Sequence, residues 1–162
     1  MISLRIKPGS VAAAFIGAAF SAFSVQAAVP AGDAKAIEEA AHGAYLAAIN
    51  SNDVETVMAD LTGDVVYQSP NEPDVVGKAA VRQWASDYIG AYRFHWDTTS
   101  IGFMVSGDWA FEHYAYKVTN TDKKTGAVSA DDGKGVNIFH HDADGKWRVA
   151  IDSWNSNLPP PK

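Results

Sequence analysis

The hydrophobic pattern changes its period at Phe94, and this change limits the chain to a small set of folds. After Phe94, apolar and polar side chains alternate in four segments that turns or polar stretches separate, which is typical of consecutive antiparallel strands. The predicted strands cover residues 94–105, 109–120, 133–141 and 147–155, with a polar loop at 121–132.

Before Phe94 the apolar residues recur with helical spacing instead. Asp33 is predicted to cap a helix that runs to about residue 50 and presents one apolar stripe. The stripe consists of Ile37, Ala41, Ala44, Tyr45 and Ala48. Lys35, Glu38, Glu39 and His42 lie away from this predicted stripe.

Two further helices and one strand complete the first half. Asn52 is predicted to begin a short helix that Gly63 ends, and residues 64–69 form a predicted strand that stops at Pro70. A third helix has an apolar face containing Val81, Trp84, Ala85 and Tyr88. Helices in the first half and a strand meander in the second predict an α+β domain with its helices on one face of a curved sheet.

Residues 1–27 have the composition of a cleavable secretory leader. Arg5 and Lys7 precede an uncharged apolar run at 11–25, which is shorter than the roughly 20 apolar residues of a spanning helix. We expect cleavage after Ala27 or Ala28, a secreted or periplasmic product, and no membrane contact once the leader is removed.

The remaining chain is strongly acidic. The full sequence has a formal net charge of −6, and removal of a leader with two basic and no acidic residues leaves −8. Nucleic-acid partners are not expected, because they require clustered Lys and Arg. Cysteine is absent, which excludes disulfides and thiol chemistry. We expect one domain at residues 28–157 and a Pro-rich tail at 158–162.

Three sequence strings carry a resemblance to a known superfamily. They lie at residues 44–53, at residues 67–70, and at residues 137–147 together with 152–155. With the element order, they make the chain similar to the NTF2-like superfamily, and within it to SnoaL-like and DUF4440-type proteins. The resemblance implies an α+β, NTF2-like (cystatin-like) cone in which three N-terminal helices pack on a curved, mostly antiparallel sheet.

Ketosteroid isomerase, a distantly similar member of that superfamily, implies roles for three positions. The resemblance places Tyr45 at its oxyanion tyrosine, Asn137 at its protonated aspartate and Ser69 at its base. A serine hydroxyl is far too weak a base to abstract a carbon-bound proton unaided. Steroid isomerisation by that mechanism is therefore not expected.

The same alignment gives the last strand an inward face. It implies that Ala150, Asp152 and Trp154 point into the cone and that Trp147, Val149 and Ile151 point outward. Inside an apolar cavity, burial raises the pKa of a carboxyl, so Asp152 becomes a candidate general base or ligand-orienting acceptor. Periodicity alone gives the opposite phase, with Asp152 in water.

The candidate site combines these positions with their neighbours. Asp152, Tyr45 and Asn137 are the candidate catalytic residues. The candidate ligand-binding residues are Tyr67, Ser69, Trp84, Glu112, Tyr114, Phe139 and Trp154. Glu112 would be a second buried acid and could partner Asp152, whereas the aromatic residues could equally belong to the core.

No metal site and no cofactor is predicted. His140 and His141 are neighbours on a strand and point to opposite faces, and the other histidines are scattered. Residues 142–145 resemble part of a calcium loop but lack the glutamate that completes one, so they are interpreted as a turn.

Both faces of the last two predicted strands carry apolar side chains, so neither face is expected to be fully solvated. One face should meet the helices. The other is predicted to pair with a second copy, which gives a homodimer through the outer sheet face.

Three functional classes remain open. The first is an exported protein that binds a small apolar or aromatic ligand, oriented by Tyr45, Asn137 and Asp152. The second is a cofactor-free isomerase, cyclase or dehydratase with Asp152 or Glu112 as base, and the third is a non-catalytic dimerisation module. The first is favoured because Ser69 has replaced the family base. An open cavity with one acid would support the binding function. Two acids within reach of one cavity point would support catalysis, and a cone filled by its own side chains would support the dimerisation module.

Overall fold

The computed structural model describes residues 31–159. The predicted leader and the end of the predicted tail lie outside the described residues. Within residues 31–159, no helix is long and apolar enough to cross a membrane.

The first helix contains one wider turn. Helix α1 (Ala31–Glu38) continues through a π-helical turn, Glu39–Gly43, into helix α2 (Ala44–Asn50), so the predicted end is confirmed. The predicted stripe is wrong at two positions, since Ala44 is exposed and His42 is partly buried. The stripe is centred on Tyr45, and His42 lies three residues before it on nearly the same side of the helix.

Helix α3 (Val54–Ala59) begins after Asp53 and not after the predicted Asn52. The backbone N–H of Thr56 donates to Asp53 Oδ1 at 2.8 Å, which satisfies one donor of the first turn. Gly63 does not end this helix but lies inside the strand that follows.

Six strands form one mixed sheet. They are β1 (Leu61–Gln68), β2 (Val75–Val76), β3 (Tyr92–Ser106), β4 (Trp109–Asp122), β5 (Val128–His141) and β6 (Trp147–Ser156), and helix α4 (Lys78–Ala91) joins β2 to β3. The strand order is β2-β1-β6-β5-β4-β3, with β1 and β6 parallel and every other neighbouring pair antiparallel. This is the predicted α+β architecture, in which the helices pack on a curved sheet that does not close into a barrel. The predicted loop at 121–132 is shorter than expected, because β5 already begins at Val128.

The inner face of the sheet alternates regularly on β4 and irregularly on β6. The inward β4 side chains are Ala110, Glu112, Tyr114, Tyr116 and Val118, all buried. On β6 the pairing with β5 shifts by one residue between Ile138 and Phe139. Such a bulge reverses the alternation. The outward placement predicted for Val149 and Trp147 is therefore wrong: Val149 is fully buried, and Trp147 packs against the core.

Two asparagines at the end of α2 bind the free edge of β3. Asn52 Oδ1 accepts from the N–H of Phe94, and Asn52 Nδ2 donates to the Phe94 carbonyl, both at 2.9 Å. Asn50 makes the same two bonds with Trp96, at 2.8 and 2.9 Å. These side-chain amides take the place of a neighbouring strand and fix α2 against the sheet.

We expect Asn52→Asp to lower the free energy of unfolding by about 1–3 kcal/mol. A carboxylate still accepts from the N–H of Phe94, but it has no proton for the carbonyl of that residue. Urea unfolding at neutral pH measures the effect, and Asn155→Asp, at an exposed position of β6, is the matched control. Equal urea midpoints for the two variants would contradict the role given to the amide.

Candidate functional site

One row of side chains crosses the inner face of the sheet at a single level. The strand register pairs Tyr67 with Asp152, Asp152 with Asn137, and Asn137 with Glu112. Adjacent strands lie about 4.8 Å apart, so Glu112 and Asp152, two strands apart, are separated by roughly 10 Å at their backbones. The sheet therefore brings together residues that are up to 85 positions apart in the chain.

Asp152 accepts hydrogen bonds from two phenols. Tyr45 donates to Asp152 Oδ2 at 2.7 Å, and Tyr114 donates to Asp152 Oδ1 at 3.1 Å. The hydroxyls of Tyr45 and Tyr67 are also 2.8 Å apart. Because the Tyr45 proton is directed at the carboxylate, Tyr67 is the donor to Tyr45. With Asp152 ionised, all three phenol protons are therefore used inside this network.

Burial controls the protonation of these groups. It raises the pKa of Asp152 from 3.8 to about 6; the two phenol bonds act in the opposite direction, and the charge of Glu112 adds to the rise. Burial, followed by the nearby Asp152 charge, raises the pKa of the Tyr45, Tyr67 and Tyr114 hydroxyls. The phenols consequently remain donors at all physiological pH values, and Asp152 is the group that titrates.

Glu112 lies beneath the cavity wall in a separate cluster. Its two carboxylate oxygens are 2.7 and 2.8 Å from His42 Nδ1, and Thr98 Oγ1 is 2.9 Å from His42 Nε2. Asn137 Nδ2 donates to Glu112 Oε2 at 3.2 Å. Since an ionised carboxylate only accepts, this bond fixes the orientation of the Asn137 amide. Asn137 Oδ1 then has no hydrogen-bond partner among the described residues.

A cavity of about 340 Å³ opens above this row, between the sheet and helices α2 and α4. Its walls are mainly aromatic, with Tyr67, Trp84, Tyr88, Phe94, Trp96 and Trp154 among the lining residues. Trp84 and Tyr88 stack with their ring centres 5.4 Å apart, and Tyr67 packs edge-on against Trp84 and Trp154. The cone is therefore open and not filled by its own side chains.

Two glycines on β5 make room for the tyrosines of β4. Gly135 pairs with Tyr114, and Gly133 pairs with Tyr116. A Cβ at Gly135 would lie 2.4 Å from the Tyr114 hydroxyl, and one at Gly133 would lie 2.5 Å from the Tyr116 ring. Real Cβ atoms do not approach so closely, so the phenol of Tyr114 reaches Asp152 only across a residue without a side chain.

The rim of the cavity carries two further carboxylates. Glu72 accepts from Ser69 Oγ at 2.7 Å and from the indole N–H of Trp84 at 3.2 Å. On the other side, Asp131 accepts from Tyr116 at 3.0 Å and from Ser156 at 2.6 Å. Ser69, the predicted counterpart of the isomerase base, is therefore a donor to a neighbouring acid.

Eight of the ten predicted site residues line the cavity. They are Tyr45, Tyr67, Ser69, Trp84, Tyr114, Asn137, Asp152 and Trp154. Phe139 does not line it: its side chain is fully buried and packs in the core near Phe103. Glu112 is also absent from the lining, because it points at His42 beneath the wall, so its predicted place among the ligand-binding residues is wrong.

Several lining residues were not predicted, namely His42, Glu72, Tyr88, Trp96, Thr98 and Asp131. Alternation from Phe94 would have found Trp96 and Thr98, which share its face of β3. Glu72 lies in a turn-rich segment without periodicity, so no sequence signal identifies it. Among the described residues, no group of three or more His, Cys, Asp or Glu side chains could hold a metal ion.

Comparison with known proteins assigns the family. The family model of the SnoaL-like domain matches residues 42–150, which is more than half of the chain. The chain belongs to the SnoaL-like domain family. No curated protein matches it.

Solved structures agree with this SnoaL-like assignment. A ketosteroid isomerase-like protein from Erwinia carotovora atroseptica is 30% identical, with a TM-score of 0.70 over 76% of this chain and 96% of that one. Two more distant structures share the fold. An NTF2-like family protein from Streptomyces avermitilis is 16% identical, with a TM-score of 0.71 over 79% of this chain and 99% of that one. An NTF2-like superfamily protein from Salmonella enterica is 12% identical, with a TM-score of 0.64 over 80% of this chain and 96% of that one. The SnoaL-like family and the NTF2-like fold that the resemblance implies are thereby confirmed. Asp152 lies two residues beyond the end of the family match.

Asp152 should make the stability of this SnoaL-like domain depend on pH. Its pKa is higher in the folded chain (about 6) than in the unfolded chain, so the folded state binds this proton more tightly. The stabilisation that comes from the protonated Asp152 is fully present below about pH 4, which is the pKa of this group in the unfolded chain. It is lost as the pH rises through about 6. We expect the unfolding free energy of the wild type minus that of Asp152→Asn to fall by up to about 3 kcal/mol as the pH rises from about 4 to neutral.

Urea unfolding of both proteins at a series of pH values measures this difference, in which the other titrating groups cancel. A difference that stays constant with pH would show that Asp152 keeps an ordinary pKa.

Proposed function

We propose that this chain is an exported binding protein that holds a small, largely apolar or aromatic molecule in its cavity. The observation that carries the proposal is an open, aromatic-walled cavity of about 340 Å³ with one carboxylate, Asp152, at its floor. Ligand pockets in proteins span roughly 300–1,000 Å³, so the cavity suits a molecule of one or two rings. Fold membership alone does not distinguish binding from catalysis, because this fold supports both.

The hydrogen bonds of the floor favour binding over chemistry. A general base works best beside donors that are free to stabilise the developing negative charge. Here Tyr45 and Tyr114 already donate to Asp152, and Glu112 is held by His42. A single oriented carboxylate is what a ligand-orienting acceptor requires, and it supports the first of the three functional classes.

A cofactor-free isomerase, cyclase or dehydratase is the second candidate. It is favoured by the pKa of Asp152, which at about 6 suits proton transfer near neutral pH. It is also favoured by Glu72, which brings a carboxylate to Ser69, where the related isomerase has its base. In this alternative, Asp152 abstracts a proton from the ligand, and Tyr45 or Tyr114 turns to donate to the oxygen that gains charge.

Export is part of the proposal and rests on residues 1–27. The charged start, the short apolar run and the small residues at 25–27 support a leader that is removed. A leader of this kind would direct the protein to the periplasm or out of the cell.

Native mass spectrometry of the protein isolated from the cells and medium that produce it tests the proposal. We expect a mass that lacks residues 1–27 and an additional mass from a retained small molecule. Asp152→Asn should weaken retention by roughly tenfold or more, because an oriented charged acceptor is replaced by a neutral amide. Asp64→Asn, at an exposed position on β1, is the matched charge control.

The same experiment separates the alternatives. Full retention by Asp152→Asn would remove that residue from the site, and protein that carries no molecule from any compartment would argue against the binding function. The retained molecule can be identified and added again to purified protein. If the wild type converts it and Asp152→Asn does not, the enzyme candidate replaces the binding one. An intact leader on all of the protein would contradict export.

We also propose that two copies associate through the outer face of the sheet. Met104, Phe111 and Ile138 form a cross-strand row on this face, and Met104 and Phe111 are 65% and 38% exposed. Trp109 and Val136 extend the apolar area next to it. An exposed apolar patch of this kind is typical of an association surface, and a two-fold axis would place the row against itself.

We expect the wild type to have the mass of a dimer in solution and Phe111→Lys to have the mass of a monomer, because the substitution introduces a charge that the interface cannot pair. Light scattering after size exclusion measures both. Val76→Lys, at an exposed apolar position on β2, at the opposite edge of the sheet from Met104 and Phe111, should remain dimeric. A monomeric wild type at micromolar concentration would end this proposal.

A further inference from the structure

The cavity is acidic, and the basic His42 in its lining already uses both ring nitrogens, toward Glu112 and Thr98. Three carboxylates line it, namely Glu72, Asp131 and Asp152, and Glu112 lies beneath Asn137. Within residues 31–159, no Lys or Arg side chain lines the cavity. In a space of low polarity such unbalanced negative charge acts strongly, because little water is present to screen it.

At the floor of the cavity, the phenols have used their protons and the Asn137 amide has used one of its two. The phenols of Tyr45 and Tyr114 donate to Asp152, and Asn137 Nδ2 donates to Glu112. At the rim, Glu72 and Asp131 receive donors from their own neighbours. The unmatched group is Asn137 Oδ1, an acceptor on a side chain that is 97% buried and lines the cavity. A ligand that brings only acceptors therefore finds few protons at the floor of the cavity.

The walls add a second, independent preference for positive charge. Trp84, Trp96 and Trp154 line the cavity together with the Tyr88 ring that stacks on Trp84. The faces of such rings carry negative electrostatic potential and attract organic cations, and indole does so most strongly. Aromatic faces, carboxylates and an unmatched acceptor all favour a positively charged group that donates hydrogen bonds.

We propose that the occupant is a small organic amine, bound as its ammonium ion, with an apolar or aromatic body of one or two rings. This inference rests on the proposed binding function and names its ligand class. The N–H groups of the ammonium ion meet Asp152 and the Asn137 acceptor, and the body lies against the aromatic wall that includes Trp84 and Trp154. A neutral alcohol brings a hydrogen-bond donor but no positive charge, and a carboxylate brings neither.

The test compares probes that share one body and differ in the head group: phenethylamine, phenethyl alcohol and phenylacetate, with ethylbenzene as the body alone. Binding is measured at pH 7.5 by calorimetry and by quenching of the tryptophan fluorescence. We expect phenethylamine to bind at least about tenfold more tightly than phenethyl alcohol, and phenylacetate to bind most weakly. Asp152→Asn should remove most of the preference for the amine over ethylbenzene, whereas Asp64→Asn should leave that preference and the binding of ethylbenzene unchanged.

Lower pH provides a second readout. The amine and a proton compete for the negative charge of Asp152, so the affinity for phenethylamine should fall below about pH 6 while that for ethylbenzene stays constant. Equal affinities for the amine and the alcohol, tighter binding of phenylacetate, or no amine binding at millimolar concentration would each overturn the ammonium assignment. Ethylbenzene binding reports on the cavity itself, so it distinguishes failure of this inference from failure of the binding function.

Discussion

Asp152 is a carboxyl group enclosed by aromatic rings, and ionising it there costs free energy unless donors are supplied. The chain supplies them from two directions, with Tyr45 from helix α2 and Tyr114 from strand β4. The Tyr45 bond joins the helical layer to the sheet, and Tyr67 from β1 supports it. Satisfying one buried acid therefore fixes how α2, β1, β4 and β6 sit around the cavity.

The helix that carries Tyr45 is held at its other end by a different kind of contact. Asn50 and Asn52 bind the backbone of β3 at Trp96 and Phe94, so the helix cannot slide along the sheet without breaking four hydrogen bonds. His42, one turn before Tyr45, adds the bond to Glu112. The position of the cavity floor relative to its aromatic wall is thus set by polar contacts.

Periodicity and the family resemblance were sufficient to predict the order of the helices and long strands, the helices on one face of the sheet and the inward direction of Asp152, but not the two-residue strand β2. They failed where a local irregularity changed the phase. The bulge on β6 buries Val149 together with Asp152, and simple alternation has no means to place both on one face. Glu112 was correctly predicted to face inward, but whether an inward acid reaches the cavity depends on a histidine 70 residues away, and no local pattern contains that contact. Glu72 reached the rim through a turn whose course depends on the tertiary structure.

Gly133 and Gly135 leave part of the inner face of β5 without side chains of its own. Over this stretch the boundary of the cavity is formed by the ring of Tyr114, which lies across the bare backbone of Gly135, while the ring of Tyr116 covers Gly133. The capacity of the pocket can consequently be enlarged from β4 alone: shortening one tyrosine opens a channel down to the peptide groups of the neighbouring strand, with no second substitution required. Tyr114 would be the position at which larger guests are admitted, at the cost of one of the two donors that Asp152 uses.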